Sequence, residues 1–253
     1  GWDSLDVGTE MIVNPNEWQT RGKKWQDVRT AINKAKRDGI TDVLTTFKEA
    51  PFSVQTQIRE ISAQWAGKKA LPEMGFTLGG VDELIDSRVR LLYAVDGNGK
   101  VLGVTSWLPT YRDGTIIGWT LDFMRHRTDS VNGIMEFLIA RMAERLRDEG
   151  NVEFMSLSAA PLAGMGSNKG EHEESEVLRH ALQMVADIME PAYGFHSLFR
   201  FKLKFHPDEE KVYICYPDAA KLPQISLAVA QAYVPSLTPA EAMRFVRTIT
   251  PHD

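Results

Sequence analysis

A chain of 253 residues, 43% hydrophobic and 25% charged, carries enough apolar material for a substantial core, which excludes a disordered polypeptide and allows one large domain or two smaller lobes. Its net charge of −5 excludes a protein that coats nucleic acid indiscriminately, because such binding rests on neutralising many phosphates. The single cysteine, Cys215, excludes an internal disulfide and offers no zinc site, so a reducing cytoplasm fits best; no stretch approaches the roughly 20 apolar residues needed to span a bilayer.

Local charge departs from that average. Between Arg21 and Arg37 the chain places Arg21, Lys23, Lys24, Arg29, Lys34, Lys36 and Arg37 against Asp27 alone. Within this stretch Trp25, Val28, Ala31, Ile32 and Ala35 recur at helical spacing and Gly39 follows as a stop, so the spacing predicts an amphipathic basic helix. Its polar side is either a solvated helix face or a landing site for phosphates. A second helix is predicted from about Ser53 to Trp65, and the aperiodic stretch KKALPEMGFTLGG then reads as a connection between two halves. The expected division is 1–75 and 76–253.

Beyond it the alternation becomes that of strands. RLLYAV and VLGVTSW flank Asp96–Lys100, whose Gly and Asn suit a tight turn, so a hairpin is predicted. IIGWTLDFM reads as a third strand, Val131–Glu149 as an amphipathic helix ended by Gly150, and VEFMSLS as a fourth strand. A helix over about Glu174–Met189 and closing strands near LFRFKLKF and KVYICY complete the order. The expected architecture is α/β, with two parallel strands flanking a crossover helix, as in the GNAT acyltransferase core.

A transferase using acetyl-coenzyme A needs a glycine-rich turn before that crossover helix to hold a pyrophosphate. Here the turn is RHRTDSVNGIMEF, with Gly133 as its one glycine and Asp129 adding negative charge, which argues against coenzyme A. Asp122 and Arg125 stand where the central strand meets the helix start. Residues three apart on a straight strand face opposite sides, so the two share a pocket only if the strand bulges or ends between them; a buried ion pair pinning the strand end is the alternative. Lys202 and Lys204 alternate with Phe201, Leu203 and Phe205, which on a strand places both ammonium groups on one face. Glu190 is a candidate base or a ligand for a donor's ammonium, and equally an ordinary helix-end carboxylate. His126 and Arg127 flank the expected site, as proton carrier and phosphate ligand or as structural and solvent-facing groups. Ser156 and Ser158 lack His and Asp partners at readable spacing, which argues against a serine hydrolase, and His172 and His180 beside EHEESE give no support for a metal.

The runs LDFMRHRTDSVNGIMEFL, SLSAAPLAGMG and YGFHSLFRFKLKFHPDEEKVYICYP, together with GKKWQDVRTAINKAKRDG and EISAQWAGKKALPEMGFTLGG, resemble the C-terminal catalytic domain of bacterial phosphatidylglycerol lysyltransferases, the multiple peptide resistance factors, and their alanyl-transferring relatives. The likeness runs from about Val7 to Pro235. It implies two GNAT-like lobes in tandem, of which the first begins here inside a strand and is incomplete, and a membrane-embedded region elsewhere in a longer chain. It further implies aminoacyl-tRNA as donor, phosphatidylglycerol as acceptor, no coenzyme A or other cofactor, and action at the cytoplasmic face of the membrane; the alternatives are the same chemistry on another lipid or a peptidoglycan-precursor acceptor, and a truncated, non-catalytic relative that binds an anionic ligand. In the family motif, Asp122 and Arg125 match the functional Asp and Arg, and Lys202 and Lys204 the paired basic residues. The basic helix, with Lys23, Lys24, Arg29, Lys34, Lys36 and Arg37, is then expected to hold tRNA phosphates or anionic lipid.

Overall fold

The structure, a computed structural model, describes residues 2–66, 80–161 and 195–221, with 224–225, 228–229 and 232. Among these residues the chain builds a seven-stranded sheet. Its strands are β1 (Asp3–Val13), β2 (Thr41–Thr45), β3 (Arg90–Val95), β4 (Val101–Arg112), β5 (Thr115–His126), β6 (Phe154–Pro161) and β7 (Asp208–Tyr216), in the order β2-β3-β4-β5-β6-β1-β7. All the pairings are antiparallel except β5 with β6. The helices are α1 (Gln26–Arg37), α2 (Phe52–Ala66), α3 (Ile134–Glu149) and α4 (Phe195–Leu203). None of the described helices is long and apolar enough to cross a membrane.

Two apolar clusters cover the two faces of the sheet. Along β3 the side chains alternate: Leu92 and Ala94 join the cluster that contains α1 and α3, while Leu91 and Tyr93 join the one under α2. Helix α3 is buried at Ile134, Leu138, Ile139, Met142 and Leu146 because it lies between the sheet and α1, and it stops at Gly150, whose left-handed backbone returns its N–H to the Leu146 carbonyl at 3.1 Å. Val28, Ala31 and Ala35 form the buried stripe of α1, as its spacing predicts. Gly133, at φ +90°, caps the start of α3, and a Cβ there would stand 2.9 Å from the Ala31 Cβ. This glycine therefore lets α1 approach α3.

The hairpin between β3 and β4 forms as expected. Asp96 accepts the backbone N–H groups of Asn98 and Lys100 on Oδ1, both at 2.9 Å, and Gly99 supplies positive φ. Two features differ from the sequence expectations. The division at residue 75 does not divide the sheet, because β1 inserts between β6 and β7 and β2 extends the sheet beyond β3. The segment LFRFKLKF forms α4 and not a strand. Its period-two pattern is short and apolar, and packing decides it: Phe199, Phe201 and Phe205 all meet the α1–α3 cluster, with Phe201 and Phe205 a helical turn apart and their rings at 5.5 Å.

Candidate functional site

Strands β5 and β6 run parallel through Gly118–Phe154, Trp119–Met155 and Thr120–Ser156 and then part. Both strands bulge just beyond that last pair. In β5 the register against β4 passes from Leu121–Trp107 to Met124–Thr105, so one extra residue lies at Asp122 and Phe123, and Ser106 Oγ accepts the Phe123 N–H at 3.1 Å. In β6 the register against β1 passes from Ser156–Ile12 to Ala159–Glu10, and Ser158 takes the left-handed conformation at φ +69°. A parallel pair that opens leaves backbone carbonyls without ladder partners, and such groups must be satisfied elsewhere when buried. Here side chains do so: Ser158 Oγ donates to the Leu121 carbonyl, and the Lys202 ammonium donates to the carbonyls of Ser158 and Ala159 at 3.2 and 3.1 Å.

The bulge answers the geometric requirement on Asp122 and Arg125. Trp119 and Leu121 join the α1–α3 cluster but Phe123 joins the α2 cluster, so the alternation of β5 changes phase between Leu121 and Phe123. This re-phasing is what a common face for Asp122 and Arg125 demands. Asp122 is half-buried at the fork. Arg125 is 3% exposed, with its guanidinium carbon 3.4 Å from the centre of the Trp65 ring and 4.9 Å from that of Phe123. Trp65 also lines a cleft of about 530 Å³ with Met124, His126, Glu136, Phe201 and the turn before α3 at Thr128 and Ser130–Gly133. The cleft thus opens over the start of α3, one residue from both Arg125 and Lys202.

Lys202 and Lys204 do not share a face, as a strand would have required. At the end of α4 the two diverge, Lys202 in its last turn and Lys204 just beyond it. Lys202 is 4% exposed, and burial pushes its ammonium down to about 8, an effect that the nearby Glu10 carboxylate opposes. Lys204 instead pairs with Glu136 in the first turn of α3 at 2.7 Å. His126 lines the cleft, its Nδ1 within 2.8 Å of the Arg127 carbonyl and 3.2 Å of Ser130 Oγ. Arg127 turns toward α2. It donates to the Val101 carbonyl at 2.8 Å and to Gln57 Oε1 at 3.2 Å, so its contacts join β4 to α2. Glu190, His172 and His180 lie outside the described residues.

The basic segment divides in the same way. Arg29 donates to the carbonyls of Thr20 and Gly22 at 2.7 and 2.9 Å and shapes the turn before α1, and Lys34 pairs with Asp38 at 2.8 Å. Lys23, Lys24, Lys36 and Arg37 are exposed. Sequence reasoning missed Glu10 and Trp65. Nothing local marks Glu10, because the insertion of β1 beside β6 brings it to the fork from about 150 residues away in sequence.

A parallel pair that forks around a crossover helix, with ionisable side chains at the split, defines an acyltransferase fold of the GNAT type. The chain belongs to the family of the phosphatidylglycerol lysyltransferase C-terminal domain, whose family model matches residues 1–216. An uncharacterised protein of Corynebacterium glutamicum is 41% identical over 92% of this chain, and the phosphatidylglycerol lysyltransferase of Bacillus subtilis is 29% identical over 85% of it. The chain spans 29% and 24% of the lengths of those two proteins. The solved structure of L-PGS from Bacillus licheniformis shares the fold, with a TM-score of 0.72 and 24% identity over 92% of this chain and 67% of that one.

Proposed function

We propose that this chain carries the chemistry of an aminoacyltransferase, moving a lysyl or alanyl group from aminoacyl-tRNA to a hydroxyl of phosphatidylglycerol at the cytoplasmic face of the membrane. The observation that carries the proposal is the fork, which sets the half-buried Asp122 and the buried Lys202 on the two sides of one opening, in a chain of this family.

The reaction is a transesterification. The lipid hydroxyl oxygen bonds to the ester carbon of the aminoacyl-tRNA, charge collects on the carbonyl oxygen, and the ribose oxygen leaves with a proton. Asp122 takes the proton of the attacking hydroxyl, a task that suits a carboxylate in a partly dry setting. Lys202 supplies positive charge for the developing oxyanion, where a fixed cation in a low-dielectric site acts strongly. Arg125, its guanidinium carbon 3.4 and 4.9 Å from the centres of the Trp65 and Phe123 rings, and Lys204 are the further cations for phosphate. The ester of the donor is already activated, so holding both substrates in the cleft contributes much of the acceleration.

The exposed Lys23, Lys24, Lys36 and Arg37 lie on the outer side of the α1 region and suit the phosphates of the tRNA. Replacing these four by glutamate is expected to weaken tRNA binding at low salt by about tenfold or more, as read by filter binding, while the thermal midpoint stays near that of the wild type. Unchanged tRNA affinity would remove this surface from the account. The reaction itself is tested by supplying charged tRNA and phosphatidylglycerol vesicles and following the amino acid into organic-extractable lipid.

A further inference from the structure

The fork contains a carboxylate that the transfer mechanism does not use. Glu10, half-buried on β1, accepts the Ser156 hydroxyl proton on Oε1 at 2.6 Å. Ser156 is fully buried, and its Oγ in turn accepts the N–H of Ser158 at 2.9 Å. Ser158 is the left-handed residue of the β6 bulge, and its carbonyl and that of Ala159 receive the Lys202 ammonium. A non-glycine residue pays for that backbone conformation, so it persists only where its surroundings fix it. Here the fixing bonds are the Ser156 hydroxyl on its N–H and the Leu121 carbonyl on its own hydroxyl.

We propose that Glu10 is a positioning residue: through Ser156 and the left-handed Ser158 it sets the two fork carbonyls that hold the Lys202 ammonium, and so places that ammonium at the opening between β5 and β6. A carboxylate holding Ser156 directs the hydroxyl proton outward, which leaves the oxygen lone pairs to the Ser158 N–H. A neutral acceptor holds this polarity less firmly, because charge-assisted bonds are about twice as strong. Among the described residues, the ionisable groups around the end of α4 are Glu10 on β1, Asp122 on β5, the exposed Arg200 on α4 itself, His206, whose Nε2 lies 3.0 Å from the Lys24 carbonyl, and Lys204, already paired with Glu136 of α3. Of these Glu10 opposes the effect of burial on Lys202. The same carboxylate therefore sets where the ammonium stands and works against the loss of its charge on burial.

A carboxylate that acted on Lys202 through its charge alone would shift the titration in Glu10→Gln but leave the Lys202 signal in place in Ser156→Ala, and that separates the two roles. The deduction about turnover rests on the aminoacyl-transfer proposal, whereas the placement of Lys202 does not. The test is an NMR titration of the full chain labelled at the lysine Cε carbons, with the Lys202 signal identified by its loss in Lys202→Met. In Glu10→Gln the Lys202 midpoint is expected to fall by about half a pH unit or more, and Glu10→Asp is expected to restore most of that shift. Ser156→Ala keeps the charge but breaks the chain of bonds, and is expected to move the Lys202 signal and to cut lipid transfer by about fivefold or more. A Lys202 midpoint unchanged in Glu10→Gln, or a Lys202 signal unchanged in Ser156→Ala, overturns the proposal. A shifted midpoint in a protein that transfers no amino acid even as wild type upholds the placement and rejects the transfer.

Discussion

Replacing Asp122 by asparagine is expected to lower transfer of the amino acid to phosphatidylglycerol by about 100-fold, the usual scale for loss of a general base. Asparagine matches aspartate in size and keeps one acceptor oxygen, so the β5 bulge, held by the Ser106 hydroxyl on the Phe123 N–H, stays in place and the thermal midpoint changes little. The defect falls on turnover and not on tRNA affinity, because Asp122 stands at the fork and the exposed cations stand on the α1 side. Single-turnover transfer and filter binding on the same preparation separate the two. Wild-type turnover in Asp122→Asn would remove the carboxylate from the mechanism.

The second large effect is that of Lys202→Met, which bears on both activity and stability. A methionine fills most of the space of the lysine stem, but it leaves the carbonyls of Ser158 and Ala159 without their donor and removes the positive charge from the opening. Transfer is expected to fall by about 100-fold or more, the scale of losing one oxyanion stabiliser. The pH dependence of stability carries an independent signature. Burial holds Lys202 at about 8, below its ordinary 10.5, so between those values the unfolded chain binds more protons at this residue than the folded one. Stability then rises with pH across that window. The cost of burying the charge is fully present below about pH 8 and has vanished above about 10.5. Relative to Lys202→Met, the wild type should therefore gain of the order of 2–3 kcal/mol between pH 7 and pH 10.5 in urea denaturation. A difference that stays constant with pH would contradict the burial of a charged Lys202.

Much of this site was legible in the sequence where the signal is local. Asp96–Lys100 announced the hairpin because a tight turn demands those residue types, and the spacing of Val28, Ala31 and Ala35 gave the buried face of α1. The need for a bulge near Asp122 followed from strand periodicity alone, and the register against β4 supplies it. The failures are non-local. LFRFKLKF alternates like a strand, yet Phe201 and Phe205 pack a helical turn apart on the core, and that burial outweighs the two-residue pattern. The five residues Thr41–Thr45 are too short and too polar to stand out, and their pairing with β3 makes them a strand. Gly133 stood as the single glycine where a phosphate loop wants two or more; half-buried at the start of α3, it instead lies where a Cβ would meet Ala31, the close approach of two helices that it permits. Glu10 reached the fork only through the insertion of β1 between β6 and β7, which no run of residues foretells.

The same topology explains why ionisable groups gather where they do. Parting β5 from β6 exposes carbonyls that only side chains can satisfy, and a lysine ammonium with three donors suits two carbonyls with capacity left for a substrate oxygen. The crossover helix α3 begins beside the opening, and its first turn already carries Glu136 paired with Lys204. The proposed site, a carboxylate, a buried ammonium and a guanidinium set against the Trp65 ring, would suit the two anionic substrates of the proposed transfer.

The central claim is that this fork moves an aminoacyl group between those two substrates. The most direct measurement is to incubate the full chain with phosphatidylglycerol vesicles and a panel of tRNAs, each charged with its radiolabelled amino acid, and to extract the lipid. Label from lysyl- or alanyl-tRNA is expected to enter the organic phase as aminoacyl-phosphatidylglycerol, and Asp122→Asn to abolish nearly all of it. Label that remains on every tRNA, or that is released only as free amino acid, would contradict the claim.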